Sequence, residues 1–196
     1  MPPIKTILLF GAPGSGKGTQ GRVLGTIPGF VHVACGDIFR NLHVGSALGR
    51  TFLDYSSQGK LVPDDFTIQL WREHIRDMVS RSRIDPAEDI LILDGIPRNV
   101  EQAKLMAEAI DVLRLYSLEC ADEGALIQRL KRRALHDNRL DDASEDVISR
   151  RLAVYAAETA QILGFYSPEI ICSIDAAQKP ILVLQDIVAD LRERLV

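Results

Sequence analysis

The sequence has few cysteines and no long hydrophobic run. Its three cysteines, Cys35, Cys120 and Cys172, are too far apart to form a C-x-x-C metal-binding pair, and their odd number does not fit a disulfide framework. No apolar stretch is long enough to cross a membrane. The first ten residues, MPPIKTILLF, lack the basic leader and the cleavage site of a signal peptide. We therefore expect a cytoplasmic protein that does not interact with membranes.

The sequence also has no excess of positive charge. It contains 23 Lys and Arg residues against 27 Asp and Glu, which gives a formal net charge of −4 at pH 7. This balance argues against nucleic acid as a partner, so a small anionic ligand would need a local basic pocket. The length of 196 residues and the hydrophobic content of 46% are ordinary for a globular protein. We interpret residues 1–196 as a single domain.

Short apolar runs alternate along the chain with longer segments of helical periodicity. This alternation is typical of a parallel sheet covered on both faces, so we predict an α/β fold with three layers and five strands. Residues 36–80 show helical patterns and no convincing strand, which predicts a helical insertion, and Pro63–Asp65 is a suitable cap for one of its helices. The predicted strands are Thr6–Phe10, Phe30–Ala34, Asp89–Asp94, Val112–Glu119 and Glu169–Asp175. The predicted helices include Val100–Ile110, Gly124–Leu135, Ser144–Leu163 and Ile181–Leu195.

A glycine-rich segment, GAPGSGKGT at residues 11–19, follows the first predicted strand. In this context it resembles a phosphate-binding loop, in which backbone N–H groups and a helix N-terminus converge on an anion. Lys17 supplies a mobile cation for the terminal phosphates. The usual pattern has Ser or Thr directly after the lysine, whereas here Gly18 occupies that position and Thr19 follows it. Because glycine has no Cβ, we expect Gly18 to admit a second molecule close to the phosphates.

Acidic and basic residues suited to phosphate chemistry follow the loop. Asp94 ends the third predicted strand, where open parallel sheets bind their ligands, and it is a candidate for the magnesium side of a site. Arg98 follows Pro97, and its planar guanidinium matches a phosphate group. Arg129 and Arg133 are four residues apart on one face of a predicted helix, beside an apolar stripe. Taken alone, this segment is equally well interpreted as a solvated basic face.

Five segments, in order, resemble signatures of the nucleoside monophosphate kinases, above all of the adenylate kinases. They are GAPGSGKGTQ at 11–20, ACGDIFR at 34–40, GKLVPDD at 59–65, LILDGIPRNVEQA at 91–103, and RLDD at 139–142 with RRL at 150–152. The resemblance covers nearly the whole chain. It implies an α/β/α P-loop fold with an inserted NMP-binding segment at about 34–63 and a lid at about 136–144. A lid this short has no room for a zinc clip, so the resemblance is to the short-lid form without structural zinc.

The resemblance also implies which residues bind the phosphates. Arg40 and Arg98 correspond to residues that bind the α-phosphate of the acceptor. Arg133 corresponds to a contact with the phosphates of the donor, while Arg139 and Arg151 converge on the transferred group. Arginine that stabilises such a transition state contributes about 10³–10⁵ in rate.

We expect Mg²⁺ to be held mainly by phosphate oxygens and water, with Asp94 and Thr19 behind the water molecules. The donor adenine is expected to contact the turn around Gln178. The implied catalytic set is Lys17, Asp94, Arg98, Arg133, Arg139 and Arg151. The implied ATP site comprises Gly14, Ser15, Gly16, Lys17, Gly18, Thr19, Arg129, Arg133 and Gln178.

Gln102 bears on the identity of the acceptor base. A side-chain amide donates and accepts at once, which matches the adjacent ring nitrogen and amino group of adenine. The related uridylate–cytidylate kinases usually have asparagine there, so the resemblance favours AMP. Cys35 and Ile96 depart from the family pattern, which has Ser or Thr and more commonly Phe at these positions. The implied AMP site comprises Cys35, Arg40, Lys60, Leu61, Val62, Gly95, Ile96, Pro97, Arg98, Gln102, Arg139 and Arg151.

The resemblance therefore implies a monomeric enzyme that transfers a phosphoryl group reversibly from ATP to AMP, with Mg²⁺, and gives two ADP. Such an activity maintains the balance of adenine nucleotides. Two alternatives stay open. One is a UMP/CMP kinase of the same family. The other is a P-loop nucleotide sensor without catalysis, which would not need the arginines after residue 130 that this chain has.

Overall fold

The structure is a computed structural model that describes residues 2–43, 45–137 and 144–195. Within these ranges, five strands form a single sheet in the order β2–β3–β1–β4–β5, and every pairing in it is parallel. The predicted five-stranded parallel sheet is confirmed, and β2 has the predicted bounds. The strands are β1 Ile4–Gly11, β2 Phe30–Ala34, β3 Ile90–Asp94, β4 Ile110–Glu119 and β5 Ile171–Asp175.

Helices connect the strands and fill the predicted insertion. None of those in the described ranges is both long and apolar enough to span a bilayer. The α-helices described are α1 Lys17–Leu24, α2 Cys35–Arg40, α3 Ala47–Ser56, α4 Asp64–Ser80, α5 Val100–Met106, α6 Glu123–Asp137, α7 Glu145–Val154 and α8 Pro180–Leu195.

Two predicted helices differ from the observed ones. The helix predicted over Val100–Ile110 ends at Met106, because the chain turns there and Ile110 already begins β4. The helix predicted over Ser144–Leu163 changes its winding after α7. It continues as a π-helical segment, Tyr155–Thr159, and then as a 3₁₀ segment, Ala160–Gly164.

Alternate residues of the central strand β1 pack into two separate hydrophobic cores. Leu8 and Phe10 belong to a core that includes Trp71 of α4, whereas Ile7 and Leu9 belong to a core on the other face, beneath α1 and α8. Side chains of a strand point alternately to opposite faces, so both faces of the sheet are covered by helices. This is the predicted three-layer arrangement, and each large apolar side chain buried in it contributes about 1.5–3 kcal/mol.

The strand order creates a crevice beside the end of β1. After β1 the chain passes to one side of the sheet to form β2 and β3, and then crosses to the other side to form β4. Connections therefore leave the carboxyl edge of the sheet in opposite directions around β1. In open α/β sheets this is where ligands bind. The register places Leu9 of β1 beside Asp94, the last residue of β3.

Candidate active site

A cavity of about 520 Å³ opens at the carboxyl ends of β1, β2 and β3. Except for Ile96, the predicted site residues in the described ranges line this cavity. Ile96 is 2% exposed and packs in the apolar core, so the structure does not bring its side chain to the predicted AMP site. Arg139 and most of the predicted lid, at 138–143, lie outside the described residues.

The glycine-rich loop joins β1 to α1 at the floor of the cavity. Gly14 has a φ of 87°, in the left-handed region that favours glycine. A Cβ on Gly14 would lie 2.8 Å from the carbonyl oxygen of Leu126, so the loop packs directly against the backbone of α6. The loop ends where α1 begins at Lys17, and the N-terminus of that helix faces the cavity lined by Ser15, Gly16 and Lys17. This geometry suits an anion, because helix N-termini carry unpaired N–H groups and a partial positive charge.

Lys17 holds its ammonium over this loop. Its Nζ donates to the carbonyl oxygens of Gly11, at 2.6 Å, and Ala12, at 3.1 Å. Burial lowers the pKa of Lys17 to about 8; Asp94 acts in the opposite direction, and nearby arginines lower the pKa further. The ammonium is therefore mostly charged at neutral pH in a place that penalises its charge. An anion bound there would remove that penalty.

Asp94 lies beside Gly18 across the cavity floor. A Cβ on Gly18 would lie 3.2 Å from Oδ2 of Asp94 and 3.9 Å from an Nη of Arg22. Glycine at this position thus lets α1 approach the end of β3 closely. This is a structural reason for glycine at position 18 that the sequence did not reveal. That Gly18 also admits a second molecule remains a prediction. Thr19, the next residue, lines the same cavity.

Four basic side chains line one part of the cavity. Besides Lys17 they are Arg98, Arg133 and Arg151, and each of these arginines acts electrostatically on Lys17. Among the groups that shift the pKa of Lys17, Asp94 is the acidic one. In the part of the chain that the structure describes, no group of three or more His, Cys, Asp or Glu side chains could hold a metal ion. The arrangement is therefore suited to binding several negative charges at once.

Arg98 is held in place by the turn after β3. Its Nε donates to the carbonyl oxygen of Gly95 at 2.9 Å, and its backbone N–H donates to Oε1 of Gln102 at 2.8 Å. Gln102 is 1% exposed but still contributes to the cavity lining. The predicted phosphate-binding arginine and the predicted base-reading amide are thus linked by a hydrogen bond.

Asp64 and Asn99 complete a hydrogen-bonded group that sequence analysis missed. Nε2 of Gln102 donates to Oδ1 of Asp64 at 2.7 Å, and Nδ2 of Asn99 donates to both Asp64 oxygens at 3.0 Å. Asn99 caps α5, since its Oδ1 accepts from the Gln102 N–H at 2.8 Å. The predicted cap at Pro63–Asp65 is wrong in its detail: Pro63 occupies the N-cap of α4 without a side-chain bond, and Asp64 reaches across to α5.

Arg40 and Cys35 lie on α2 and line the predicted acceptor side of the cavity. Arg40 forms an ion pair with Asp37, one turn earlier, with an N–O distance of 2.5 Å. Cys35 is 2% exposed, and burial raises the pKa of its thiol to about 11. The thiol is therefore neutral at physiological pH, which makes it a poor nucleophile and at most a weak hydrogen-bond donor.

The opposite end of the cavity is formed by the turn between β5 and α8. Nη1 of Arg129 donates to the carbonyl oxygen of Ala176 at 2.9 Å. Nε2 of Gln20, on α1, donates to the carbonyl oxygen of Pro180 at 2.9 Å. Gln20 is 3% exposed and was not predicted as a site residue. The one indication in the sequence is its polar side chain on a helix face that must be buried. Nε2 of Gln178 donates a hydrogen bond to Oδ2 of Asp186 at 2.6 Å.

The segment between α3 and α4 contacts α7. Gly59 has a φ of 68°, and a Cβ there would lie 3.1 Å from the carbonyl oxygen of Val147. Nη1 of Arg150 donates to the carbonyl oxygen of Gln58 at 2.9 Å. These contacts hold the acceptor side of the cavity against the helix that carries Arg151, and no local pattern in the sequence indicates them.

The sequence is similar to those of known proteins of one family. The sequence model of the family described as adenylate kinase matches residues 9–171. The adenylate kinase of Thermobifida fusca (strain YX) is 39% identical over 165 residues, which cover 82% of this chain and 83% of that protein. The adenylate kinase of Mycolicibacterium vanbaalenii is 38% identical over 170 residues, with 84% and 87% covered. That of Cyanothece sp. (strain PCC 7425) is 36% identical over 179 residues, with 88% and 87% covered.

Proposed function

The chain belongs to the adenylate kinase family, and we propose that it transfers a phosphoryl group reversibly from ATP to AMP and gives two ADP. The observation that supports this proposal is that the glycine-rich loop, a cluster of cations and the buried amide of Gln102 line one cavity. A pure nucleotide sensor would need the loop alone. Two nucleotides placed end to end need the cations as well, because their phosphates repel each other.

In this proposal the donor lies between the loop and the turn after β5. Its phosphates lie on the loop N–H groups and Lys17, and its adenine lies against the turn that Arg129 and Gln20 hold. An oxygen of the AMP phosphate attacks the γ-phosphorus, and the bond from that phosphorus to the β–γ bridging oxygen breaks. The bridging oxygen leaves with ADP, so the products are two ADP. Lys17 and the guanidinium groups of Arg98, Arg133 and Arg151 balance the charge on the equatorial oxygens.

The donor atoms present fit Mg²⁺. The Asp94 carboxylate and the Thr19 hydroxyl both line the cavity, and both are hard oxygen donors. One carboxylate is typical of magnesium bound chiefly through substrate phosphates and water. When bound, the ion would neutralise charge on the phosphates. We therefore propose Mg²⁺ as the cofactor, with Asp94 and Thr19 behind its water ligands.

Gln102 supports AMP as the acceptor. Each end of its amide already has one hydrogen bond, so one N–H and one lone pair remain for a base. Adenine presents an acceptor, N1, next to a donor, its amino group, and so matches that pair. The wall of the acceptor pocket is apolar around Phe39 and Val62, which favours a flat aromatic base.

A coupled assay with alternative acceptors tests the proposal. The purified protein, ATP and Mg²⁺ are combined with AMP, UMP or CMP, and product nucleotides are quantified. We expect AMP to give the highest kcat/KM; UMP in first place would make the chain a uridylate kinase instead. Lys17→Met serves as the inactive control, with a loss in kcat of about 10²–10³ or more. A diadenosine polyphosphate should bind at a ratio of one to one and exclude both ATP and AMP.

The remaining expectations concern the setting of the enzyme. We propose that it acts as a monomer in the cytoplasm and helps to maintain the balance of adenine nucleotides. Light scattering of the eluted protein checks the mass: about 22 kDa, from the chain mass of 21.7 kDa, is expected, and twice that value would contradict the monomer.

A further inference from the structure

We infer that Asp64 is a positioning residue for base selection, because its carboxylate fixes the orientation of the Gln102 amide. The inference rests on the proposed function, in which Gln102 reads the acceptor base. Asp64 begins α4 and lies 38 residues before Gln102 in sequence, yet its Oδ1 is 2.7 Å from Nε2 of Gln102.

The two partners of the Gln102 amide permit a single orientation. The backbone N–H of Arg98 can only donate, so it must face Oε1, as it does at 2.8 Å. The Asp64 carboxylate can only accept, so it must face Nε2. Gln102 is 1% exposed, and the reversed amide would set two donors against each other and two acceptors against each other. Unsatisfied buried groups of this kind are costly.

Asp64 is itself held in place by the neighbouring helix. Both of its carboxylate oxygens accept from Nδ2 of Asn99 at 3.0 Å, and Asn99 is bonded in turn to the backbone N–H of Gln102. Asp64 lies in the first turn of α4 and Asn99 caps α5. A carboxylate is stabilised at both places, because each helix N-terminus carries partial positive charge. The side chain is therefore held between two helices, which leaves it little freedom to release Gln102.

A fixed amide selects between two kinds of base. Adenine and cytosine present a ring acceptor beside an amino donor. Guanine and uracil present a ring N–H donor beside a carbonyl acceptor, which is the reverse pattern. With Asp64 in place, Gln102 offers one order of donor and acceptor and excludes the other. Loss of Asp64 would leave the Arg98 N–H as the one remaining of these two constraints, so the reversed amide becomes less costly. The protein should then accept GMP and UMP more readily relative to AMP, while the preference between AMP and CMP should change little.

The test measures kcat and KM for AMP, GMP, UMP and CMP at saturating ATP. Asp64→Ala should raise the KM for AMP about ten-fold and lower the AMP-to-GMP ratio of kcat/KM about ten-fold, with the KM for ATP unchanged. Asp64→Asn keeps the shape and a carbonyl that can accept, so it should lower the ratio only about three-fold. Asp65→Ala is the matched control, because Asp65 is exposed in the same turn and carries the same charge; it should behave as the wild type.

A double-variant cycle separates this role from a merely structural one. If Asp64 acts through Gln102, Asp64→Ala should change the AMP-to-GMP ratio less than two-fold in a Gln102→Ala background. An equal effect of Asp64→Ala in both backgrounds, or an unchanged ratio in the wild-type background, would overturn the inference. Circular dichroism and thermal unfolding check that each variant is folded at the assay temperature. If Asp64→Ala does not fold, the same cycle is run with Asp64→Asn. An unchanged AMP-to-GMP ratio of kcat/KM in that variant would likewise overturn the inference.

The wild-type protein in the same assay distinguishes the two levels of failure. A wild type that prefers UMP, CMP or GMP to AMP would overturn the proposed function and, with it, this inference. A wild type that prefers AMP, together with an Asp64→Ala variant that keeps the full preference, would overturn the inference alone.

Discussion

The structure places arginine in two contrasting environments. Under α8, Arg114 is 7% exposed and forms two parallel hydrogen bonds with Asp190, through Nε at 2.8 Å and through Nη2 at 2.5 Å. Its Nη1 donates to the carbonyl oxygen of Glu169 at 2.7 Å, and the hydroxyl of Tyr116 donates to Asp190 at 2.7 Å. In the cavity, by contrast, Arg98, Arg133 and Arg151 lie around Lys17. They lower the pKa of Lys17, and Asp94 is the acidic group that acts against them.

The contrast separates a charge that is satisfied within the fold from a charge that the fold penalises, and we propose that the second serves a ligand. Burial raises the pKa of Asp190, but hydrogen bonds from Arg114 and Tyr116 outweigh it and hold the pKa below its usual value. That carboxylate is satisfied within the chain. Burial and neighbouring arginines lower the pKa of Lys17 instead, which means that its charge is penalised by the fold. We propose that a bound anion relieves this penalty on Lys17.

Replacing Arg151 should have the largest effect on activity. Arg151→Ala removes a guanidinium from the cavity, and we expect kcat to fall by about 10³–10⁵. Arg150→Ala is the control, because Arg150 lies next in sequence but bonds to the Gln58 carbonyl; it should reduce kcat only a few-fold. Steady-state kinetics with ATP and AMP measure both. Equal losses in the two variants would break the contrast between the environments.

Replacing Asp190 should produce the opposite result. Asp190→Asn leaves Arg114 buried beside a neutral group, so we expect the free energy of unfolding to fall by about 3–5 kcal/mol. Denaturant unfolding measures this loss, and kcat at 25 °C should stay within about two-fold of the wild type, because Arg114 does not line the cavity. The double variant Arg114→Met with Asp190→Leu should recover much of the stability. A large loss of kcat with intact stability would show that the pair serves catalysis.

The charge on Lys17 should make nucleotide affinity depend on pH. Because its pKa in the folded protein is about 8, down from 10.5, the ammonium is lost as pH rises through that value. We expect the Kd for ATP to be about ten-fold higher at pH 9 than at pH 7. Isothermal titration calorimetry across this range measures it. Lys17→Arg should abolish the dependence, since a guanidinium stays charged.

The same shift has a consequence for stability, with a defined sign. Between pH 8 and 10.5 the unfolded chain binds more protons at Lys17 than the folded protein does. The contribution of this group to the free energy of unfolding therefore rises with pH across that window. If the Kd for ATP did not change with pH, the fold would not penalise the charge on Lys17. The contrast between Lys17 and the satisfied carboxylate of Asp190 would then weaken.

Much of the fold was readable from the sequence because its signals are local. The bounds of β2 were predicted correctly because Phe30–Ala34 is a short run in which only His32 is not apolar. Lys17, Asp94 and Arg98 could be assigned to one site because each follows a strand whose end must lie at the same edge of a parallel sheet. All three line the same cavity, and their roles there stay a prediction.

Contacts between segments that are distant in sequence could not be predicted in this way. The pattern around Asp64 indicated a helix cap, because a local pattern contains nothing about Gln102, its actual partner. Gln20 and Pro180 are 160 residues apart, and their hydrogen bond has no counterpart in periodicity. The helix predicted to reach Ile110 was too long because an apolar residue there fits both a helix face and the start of a buried strand.

Gly59 allows a smaller and more specific test of how the cationic cavity is closed. Its φ of 68° is strained for alanine, by about 1–2 kcal/mol, and an added Cβ would lie 3.1 Å from the carbonyl oxygen of Val147. Gly59→Ala should therefore lower stability modestly and also push α7, with Arg151, away from the acceptor side. We expect the KM for AMP to rise several-fold with little change in the KM for ATP.

Gly29→Ala provides the matched control for that substitution. Gly29 has a φ of 84° and nothing within 4 Å of an added Cβ, and it does not line the cavity. It carries the same backbone strain without the contact to α7, so it should lose similar stability and keep both KM values. If the two variants behave alike in kinetics, the contact at Gly59 is irrelevant to substrate binding. If only Gly59→Ala weakens AMP binding, then packing of the segment around Gly59 against α7 brings Arg151 into position. No local pattern in the sequence connects these two segments. The position of Arg114, by comparison, depends on its ion pair with Asp190.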